Sequence, residues 1–179
     1  MVERLMASGY LDGWHSVSGD GGPVLLLASS AAREWPGADE HWLHSGEGLY
    51  GSVCLADDSV QLVETPVGTV VVFGDSETVT YFAADESGVI VIHGNLEPPD
   101  LVILQDRLKD EDSVKIGVFE LKEGSVCVLD AAAAHSIPEN RFAVEPASYA
   151  VRVWYMEDAT IFKLCRPYGG SSGFTTGAA

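Results

Sequence analysis

The amino-acid sequence predicts a mainly β protein with minor helix, built from two packed antiparallel sheets. Short apolar or alternating runs recur along the chain, and glycine, proline and acidic turn residues separate them. Hydrophobic residues make up 46% of the 179 residues, which is enough for a substantial core. Because an apolar sheet face needs a second layer to cover it, this many strands predict two sheets packed on each other. Residues 1–168 are assigned to a single β-rich domain.

The first predicted elements are a buried strand and a short helix. The continuous apolar run Pro23–Ala28 is typical of a strand that is buried on both faces. Residues 29–35 are predicted to form a helix, which Ser29 or Ser30 would cap and Pro36 would end. The next apolar run, residues 52–56, is predicted to be a strand.

The following segments predict a series of strands. Residues 59–65 alternate, which places Leu62 and Val63 on opposite sides of a strand. Gly68–Asp75 is rich in β-branched residues, and residues 78–84 follow after only two residues, so the pair is predicted to form a tight hairpin. Gly88–Gly94 is predicted to be the next strand.

The second half of the chain begins with a predicted helix near residues 100–110. Leu101, Leu104 and Leu108 have helical spacing, Val102 is expected on the same face, and Asp100 could cap the start. The strands that follow are predicted at residues 114–122 and 125–132, in a hairpin over 141–158, and at Ala159–Cys165. The low-complexity tail, residues 169–179, is expected to be disordered.

The two halves resemble each other. "GPVLLLASSAA" from Gly22 matches "GSVCVLDAAAA" from Gly124, and the segment from Val63 matches the segment from Val144 in its turns and strands. This order predicts two related β-rich units, at about residues 12–95 and 114–166. Chance similarity stays open as the alternative, because β sequences have similar compositions.

The charge balance restricts the classes of partner. The chain has 27 Asp and Glu against 10 Lys and Arg, a formal net charge of -17. This charge would repel the phosphates of nucleic acids and an anionic membrane surface, so neither is expected as a partner. A basic protein would be attracted and steered. The alternative is that the acidic residues serve only solubility.

Cysteine usage and the absence of a long apolar run predict a cytoplasmic protein. Cys54, Cys127 and Cys165 lie far apart in apolar contexts, which is typical of reduced, packed thiols. The first fourteen residues lack the apolar core of a signal peptide, and no run is long enough to span a bilayer.

The glycine-rich stretch "GDGGPVLLL" before the first strand does not fit a phosphate-binding loop. It contains no lysine, it precedes the strand instead of following one, and Pro23 removes a backbone N–H that a phosphate would use. Asp20 would also repel a phosphate. These glycines are therefore predicted to form a turn that enters a buried strand.

Several motifs resemble one family. "W-x-x-x-x-G-x-GGPVLLL" (residues 14–27), "W-P-G" (residues 35–37) and "VGTVVVFGD" (residues 67–75), with the later "GSVCVLDAAAA" and "VEPASYAVRVW", resemble the immunity protein 21 family of bacterial polymorphic toxin systems. The match runs in order from Trp14 to about Trp154, whereas residues 41–51 and the end after Trp154 match no part of the pattern. The resemblance implies a mostly β, non-enzymatic protein that binds and neutralises a cognate toxin.

Candidate chemical sites are weak. His41 and His44 are three residues apart and could bind a metal ion if they lay on a helix, but Ser45, Gly46 and Gly48 disfavour a helix and no third ligand is evident. The cysteines have no neighbouring base that would activate them as nucleophiles. No catalytic residue, metal or cofactor is therefore assigned, and a hydrolase that uses one of the histidines is a third-ranked alternative.

The predicted partner-binding residues are acidic turns with aromatic anchors. Paired carboxylates recur at predicted strand ends, where turn chemistry is the simpler explanation, but together they would form an acidic surface. The assigned residues are Asp75, Glu77, Asp85, Glu86, Trp42 and Tyr50. The acid-rich segment 106–112 is a rival patch. Trp14 and Trp35 bracket the first strand and are expected to pack in the core. The alternative function is a small-molecule or sugar-binding domain, in which Trp42 and Tyr50 would stack on the ligand.

Overall fold

The computed structural model describes residues 14–18, 22–38, 48–55, 60–75, 79–85, 88–94, 96–99, 101–134 and 140–166. In chain order the strands are β1 (His15–Ser18), β2 (Pro23–Ala28), β3 (Gln61–Thr65), β4 (Gly68–Asp75), β5 (Val79–Asp85), β6 (Gly88–Gly94), β7 (Val114–Leu121), β8 (Ser125–Asp130), β9 (Arg141–Ala143), β10 (Ala147–Tyr155) and β11 (Ala159–Cys165). Sheet A has the order β1-β5-β6-β11-β10-β7, and sheet B has the order β3-β4-β2-β8-β9. All pairs of neighbouring strands are antiparallel, which confirms the predicted fold class.

The main core lies between the two sheets. Alternate residues of the central strands point into it, so Val24 and Leu26 of β2 meet the inward residues of sheet A, such as Phe162. Strand β3 follows the predicted alternation, because Leu62 packs against this core and Val63 packs on the opposite side of sheet B. Burial of these side chains supplies the main driving force for folding.

The outer face of sheet B is covered by helices α1 (Ser29–Glu34) and α2 (Gly48–Cys54). Helix α1 confirms the predicted helix, but its cap comes from elsewhere: the Glu123 carboxylate accepts the Ser30 N–H at 2.6 Å. Helix α2 corrects the prediction of a strand at 52–56. Tyr50 and Val53 lie three residues apart, on one helical face, and both are buried in this outer cluster.

The outer face of sheet A is covered by helix α3 (Leu101–Arg107) and the segment that follows it. Leu104 is buried with Trp14 and Trp154 in a third apolar cluster. The helix is where the sequence predicts it, but Val102 is 66% exposed, so its expected place on the buried face was wrong. A 3-10 turn (Asp110–Asp112) leads from α3 to β7.

Two predicted hairpins are corrected. Strands β4 and β5 were predicted to pair, but β4 belongs to sheet B and β5 to sheet A. Residues 141–158 contain β9 of sheet B and β10 of sheet A, which also do not pair. In both places the connection crosses between the sheets. Turn residues allow either geometry, and burial of both faces of β4 keeps that strand in the centre of the helix-covered sheet.

The strand orders of the two sheets are those that a pseudo-twofold axis would produce, except that β3 has no counterpart. In sheet A the axis passes between β6 and β11 and exchanges β5 with β10 and β1 with β7. In sheet B it passes between β2 and β8 and exchanges β4 with β9. This topology retains the predicted equivalence of the segments that begin at Gly22 and Gly124. The predicted match of the segment from Val63 with the segment from Val144 differs from this order by one strand. The match pairs β5 with β11, whereas the strand order pairs β5 with β10. Duplication itself stays a prediction.

Candidate protein-binding surface

The two ends of the sandwich are defined by the turns of sheet A. At the front end, residues 156–158 connect β10 to β11, and β5 begins beside His93. At the rear end, β5 passes into β6, with Asp85 opposite Gly88. Strand β4 ends at the front, because Phe73 packs beside the His93 ring, with their centroids 6.3 Å apart.

At the front end, the glycine-proline entry to β2 packs against the end of β8. Gly22 has no space for a side chain, since a Cβ there would lie 3.0 Å from both Asp130 Oδ1 and the Tyr50 hydroxyl. The Pro23 carbonyl accepts the Ala131 N–H at 2.8 Å, and Asp130 Oδ1 accepts the Ala132 N–H at 2.9 Å. The entry is therefore a packed turn, as the sequence predicts.

The "W-P-G" motif fixes the same corner from the other side. The buried Trp35 indole N–H donates to the Ala131 carbonyl at 2.8 Å. Gly37 has φ +76°, and a Cβ there would lie 2.7 Å from the Ala132 carbonyl oxygen. Three motifs that are distant in sequence thus form one structural corner. Trp35 packs in the core as predicted.

The predicted aromatic anchors have different outcomes. Tyr50 is only 7% exposed and belongs to the apolar cluster between sheet B and its helices. Its ring therefore contributes to packing and offers little surface for a partner or ligand to stack on. Trp42 lies outside the described residues, as do His41 and His44.

Two of the four predicted acidic residues lie at opposite ends of the sandwich. The backbone places Asp75 at the front end, opposite Pro23 of β2, and Asp85 at the rear end, opposite Gly88. Strand β5 separates them by six residue steps, or about 20 Å. Glu77 and Glu86 lie outside the described residues. If these acids bind a partner, we expect two separate patches and not one.

The front end also carries exposed apolar side chains, which the sequence did not indicate. Tyr155 and Met156 are 54% and 55% exposed, at the point where β10 ends. Val114 of β7 is 52% exposed and pairs with Val153, two residues before Tyr155. Residues 153 and 155 share a strand face, so Val114 and Tyr155 are diagonal neighbours on that face. The core between the sheets ends at Val153 on β10, and Tyr155 lies two residues beyond it on the same strand face.

Exposed carboxylates lie in the segments next to these residues. Glu157 and Asp158 follow directly in the turn, and the exposed 3-10 turn precedes β7. The resulting front tip surface consists of Val114, Tyr155, Met156, Asp110, Glu111, Asp112, Glu157 and Asp158. The rival acidic patch, residues 106–112, thus contributes part of the best-defined acidic surface among the described residues.

Several hydrogen bonds hold the front tip surface in place. The Trp154 indole N–H donates to the Lys109 carbonyl at 2.9 Å. The Arg152 guanidinium donates to the Ser113 hydroxyl at 2.8 Å and lies 3.8 Å from the Asp110 carboxylate. The Met156 N–H donates to the Ala159 carbonyl at 2.9 Å, which closes the turn. The surface is therefore fixed before any partner binds.

The rear end has a different character. The Tyr149 hydroxyl donates to the Glu145 carbonyl, and the Arg166 guanidinium pairs with the Glu145 carboxylate. A hydrogen bond with the Tyr149 side chain, followed by the one with Glu145, raises the pKa of Arg166 above its ordinary value. Arg166 therefore stays charged, and it offsets part of the negative charge at this end.

Searches for other kinds of site gave no candidate in the described part of the chain. Within that part, no three His, Cys, Asp or Glu side chains are grouped so that they could hold a metal ion. None of the helices described is long and apolar enough to cross a membrane. The three cysteines, all within the described residues, are thiols and not disulfides, and Cys127 is buried with its sulfur 3.4 Å from the Ser29 hydroxyl.

Comparison with known proteins gave no match: no family model, curated protein or solved structure is similar to this chain.

Proposed function

We propose that this protein is an immunity protein that binds and neutralises a cognate bacterial toxin protein through its acidic surface, without catalysing a reaction. The observation that carries this proposal is where the charges lie. The chain has 27 Asp and Glu against 10 Lys and Arg, and the turns Asp110–Asp112 and 157–158 consist of exposed carboxylates. The positive charges are instead found mainly on the strands and helices.

This distribution favours recognition of a basic protein. Connecting segments are where binding residues most often occur, because the strands they join provide a rigid support. A surface with one sign of charge speeds association with an oppositely charged partner and discriminates against partners of the same charge. Neutralisation then needs only occlusion of the toxin's active surface, so no catalytic group is required on this chain.

The resemblance to the immunity protein 21 family supports the same conclusion. Two of the resembling motifs, one with Gly22 and Pro23 and the other with Trp35, contact the end of β8 in one corner of the structure. The burial of Tyr50 counts against the alternative of a sugar-binding platform, which requires that ring to be exposed. We place the encounter in the cytoplasm, where cysteine thiols remain reduced.

The test is neutralisation of the product of the adjacent gene. Bacteria that express this product alone should stop growing, and coexpression of the full chain should restore growth. The two purified proteins should form a complex whose association rate falls at least about tenfold between about 50 mM and about 500 mM salt. Failure of the full chain to bind or to protect would contradict the proposed function.

A further inference from the structure

We propose that the front tip surface is the docking face for the cognate toxin, and that it contacts a basic face of the toxin with an apolar centre. This inference rests on the proposed function and adds where the partner binds. The eight residues of the surface come from the last residue of β10 and the turn after it, and from the segment between α3 and β7 with the first residue of β7.

The composition of the surface fits a binding site. Tyr155 offers a large, exposed aromatic side chain, and tyrosine is enriched among residues that dominate binding energy. Met156 is flexible and polarisable, so it can adapt to an irregular partner surface. Both side chains are more than half exposed at the end of a strand, where water surrounds them in the free protein.

The rigidity of the surface reduces the cost of binding. Arg152 and Trp154 attach residues 109–113 to β10, and the Met156 N–H fixes the turn. A surface that is already ordered loses less conformational freedom when its partner binds. The apolar group can therefore contribute most of its burial energy to affinity.

Charge identifies the occupant. Five exposed carboxylates lie in the two segments that form the surface, and they outnumber the exposed Lys109 and Lys115 beside them: Asp110, Glu111, Asp112, Glu157 and Asp158. A second copy of this chain, related by a twofold axis, would bring the same carboxylates face to face, with a net charge of -17 on each copy. Nucleic acid phosphates would be repelled in the same way. A protein with cationic side chains around an apolar patch satisfies both parts of the surface.

The experiment measures binding of the full-length chain to the toxin domain encoded by the adjacent gene. The apolar variant is Tyr155→Ala/Met156→Ser, and the charge variant is Glu157→Lys/Asp158→Lys. Control variants change the same properties elsewhere: Val118→Ser on β7, and Glu34→Lys/Glu64→Lys on the side of sheet B. Circular dichroism melting curves establish that each variant is folded.

The apolar variant should raise the dissociation constant at least about 30-fold, mainly through faster dissociation. The charge variant should lower the association rate about tenfold and weaken its salt dependence. Both controls should stay within about threefold of the unsubstituted protein. If the apolar variant unfolds, the charge variant alone decides the outcome.

Two results would overturn the proposal and leave the proposed function intact. One is toxin binding at unchanged affinity by folded tip variants. The other is a dimer of the free chain, detected by sedimentation, that Tyr155→Ala dissociates, because this would assign the surface to a second copy. Failure of the unsubstituted chain to bind the toxin would instead contradict both the proposed function and this docking face.

Discussion

Charge reversal at the two ends of the sandwich should have unequal effects on toxin binding. The front pair is Asp75→Lys/Glu77→Lys, and the rear pair is Asp85→Lys/Glu86→Lys. Each pair changes the net charge by the same amount, so the variants control for each other. The proposed docking face lies at the front end, where Asp75 ends β4. We therefore expect the front pair to weaken binding and the rear pair to leave it nearly unchanged.

The expected difference follows from the distance along β5. Two unit charges in contact at about 4 Å interact by about 1 kcal/mol in water, and exposed ion pairs are worth about 0.2–1 kcal/mol. Over about 20 Å the same interaction falls to about 0.2 kcal/mol, and salt at physiological strength screens it below about 0.05 kcal/mol. Reversal of two contacting charges should therefore weaken binding about 10- to 100-fold, and reversal of two distant charges less than about twofold.

The assay is isothermal titration calorimetry with the toxin domain at about 150 mM salt, close to physiological ionic strength. Equal losses from both pairs would refute the reasoning, because they would mean that net charge and not location determines affinity. A loss confined to the rear pair would place the partner at the other end of the molecule. Simultaneous reversal of all four residues should resemble the front pair, with folding retained.

Three further predictions concern stability, measured as free energies of unfolding in urea from tryptophan fluorescence. Gly88→Ala should lower the free energy of unfolding more than Gly68→Ala does. Both glycines have positive φ, so an alanine at either position adds about 1–3 kcal/mol of backbone strain. Only at Gly88 would the new Cβ also overlap the Leu164 carbonyl oxygen, which adds about 1–3 kcal/mol. Equal costs would show that the sheet adjusts freely there. Trp35→Phe should lower the free energy of unfolding by at least about 1–3 kcal/mol, because it leaves the buried Ala131 carbonyl without its indole donor. A decrease of less than about 0.5 kcal/mol would contradict that role of Trp35. Glu123→Ala should lower the free energy of unfolding by about 1 kcal/mol, because it removes the cap of α1. Glu123→Gln should retain most of this capping energy. Identical effects of the two variants would exclude capping.

Local patterns predicted those features of the fold that depend on local chemistry. The alternation in β3 placed Leu62 and Val63 correctly, and the run before Trp35 and Pro36 predicted α1. The apolar run that begins at Pro23 predicted the buried strand β2. Each of these features depends on side-chain periodicity or on backbone restrictions within a few residues.

Features that depend on contacts between distant segments were not predictable in this way. A two- or three-residue connection after β4 can return within a sheet or cross to the other sheet, and the turn residues are the same in both cases. The exposure of Tyr155 depends on where the facing sheet ends, which the period of β10 does not encode. The cap of α1 comes from Glu123, more than ninety residues away in the chain.

The pseudo-twofold axis exchanges the front end with the rear end, so the turn at 156–158 has its counterpart in the turn between Asp85 and Gly88. In a symmetric dimer of identical subunits, every substitution alters both ends at once. In a single chain each substitution alters one end only. Substitutions in one turn can therefore adapt it to a changed partner surface while the other turn continues to connect its two strands. Selection then acts on the two turns independently.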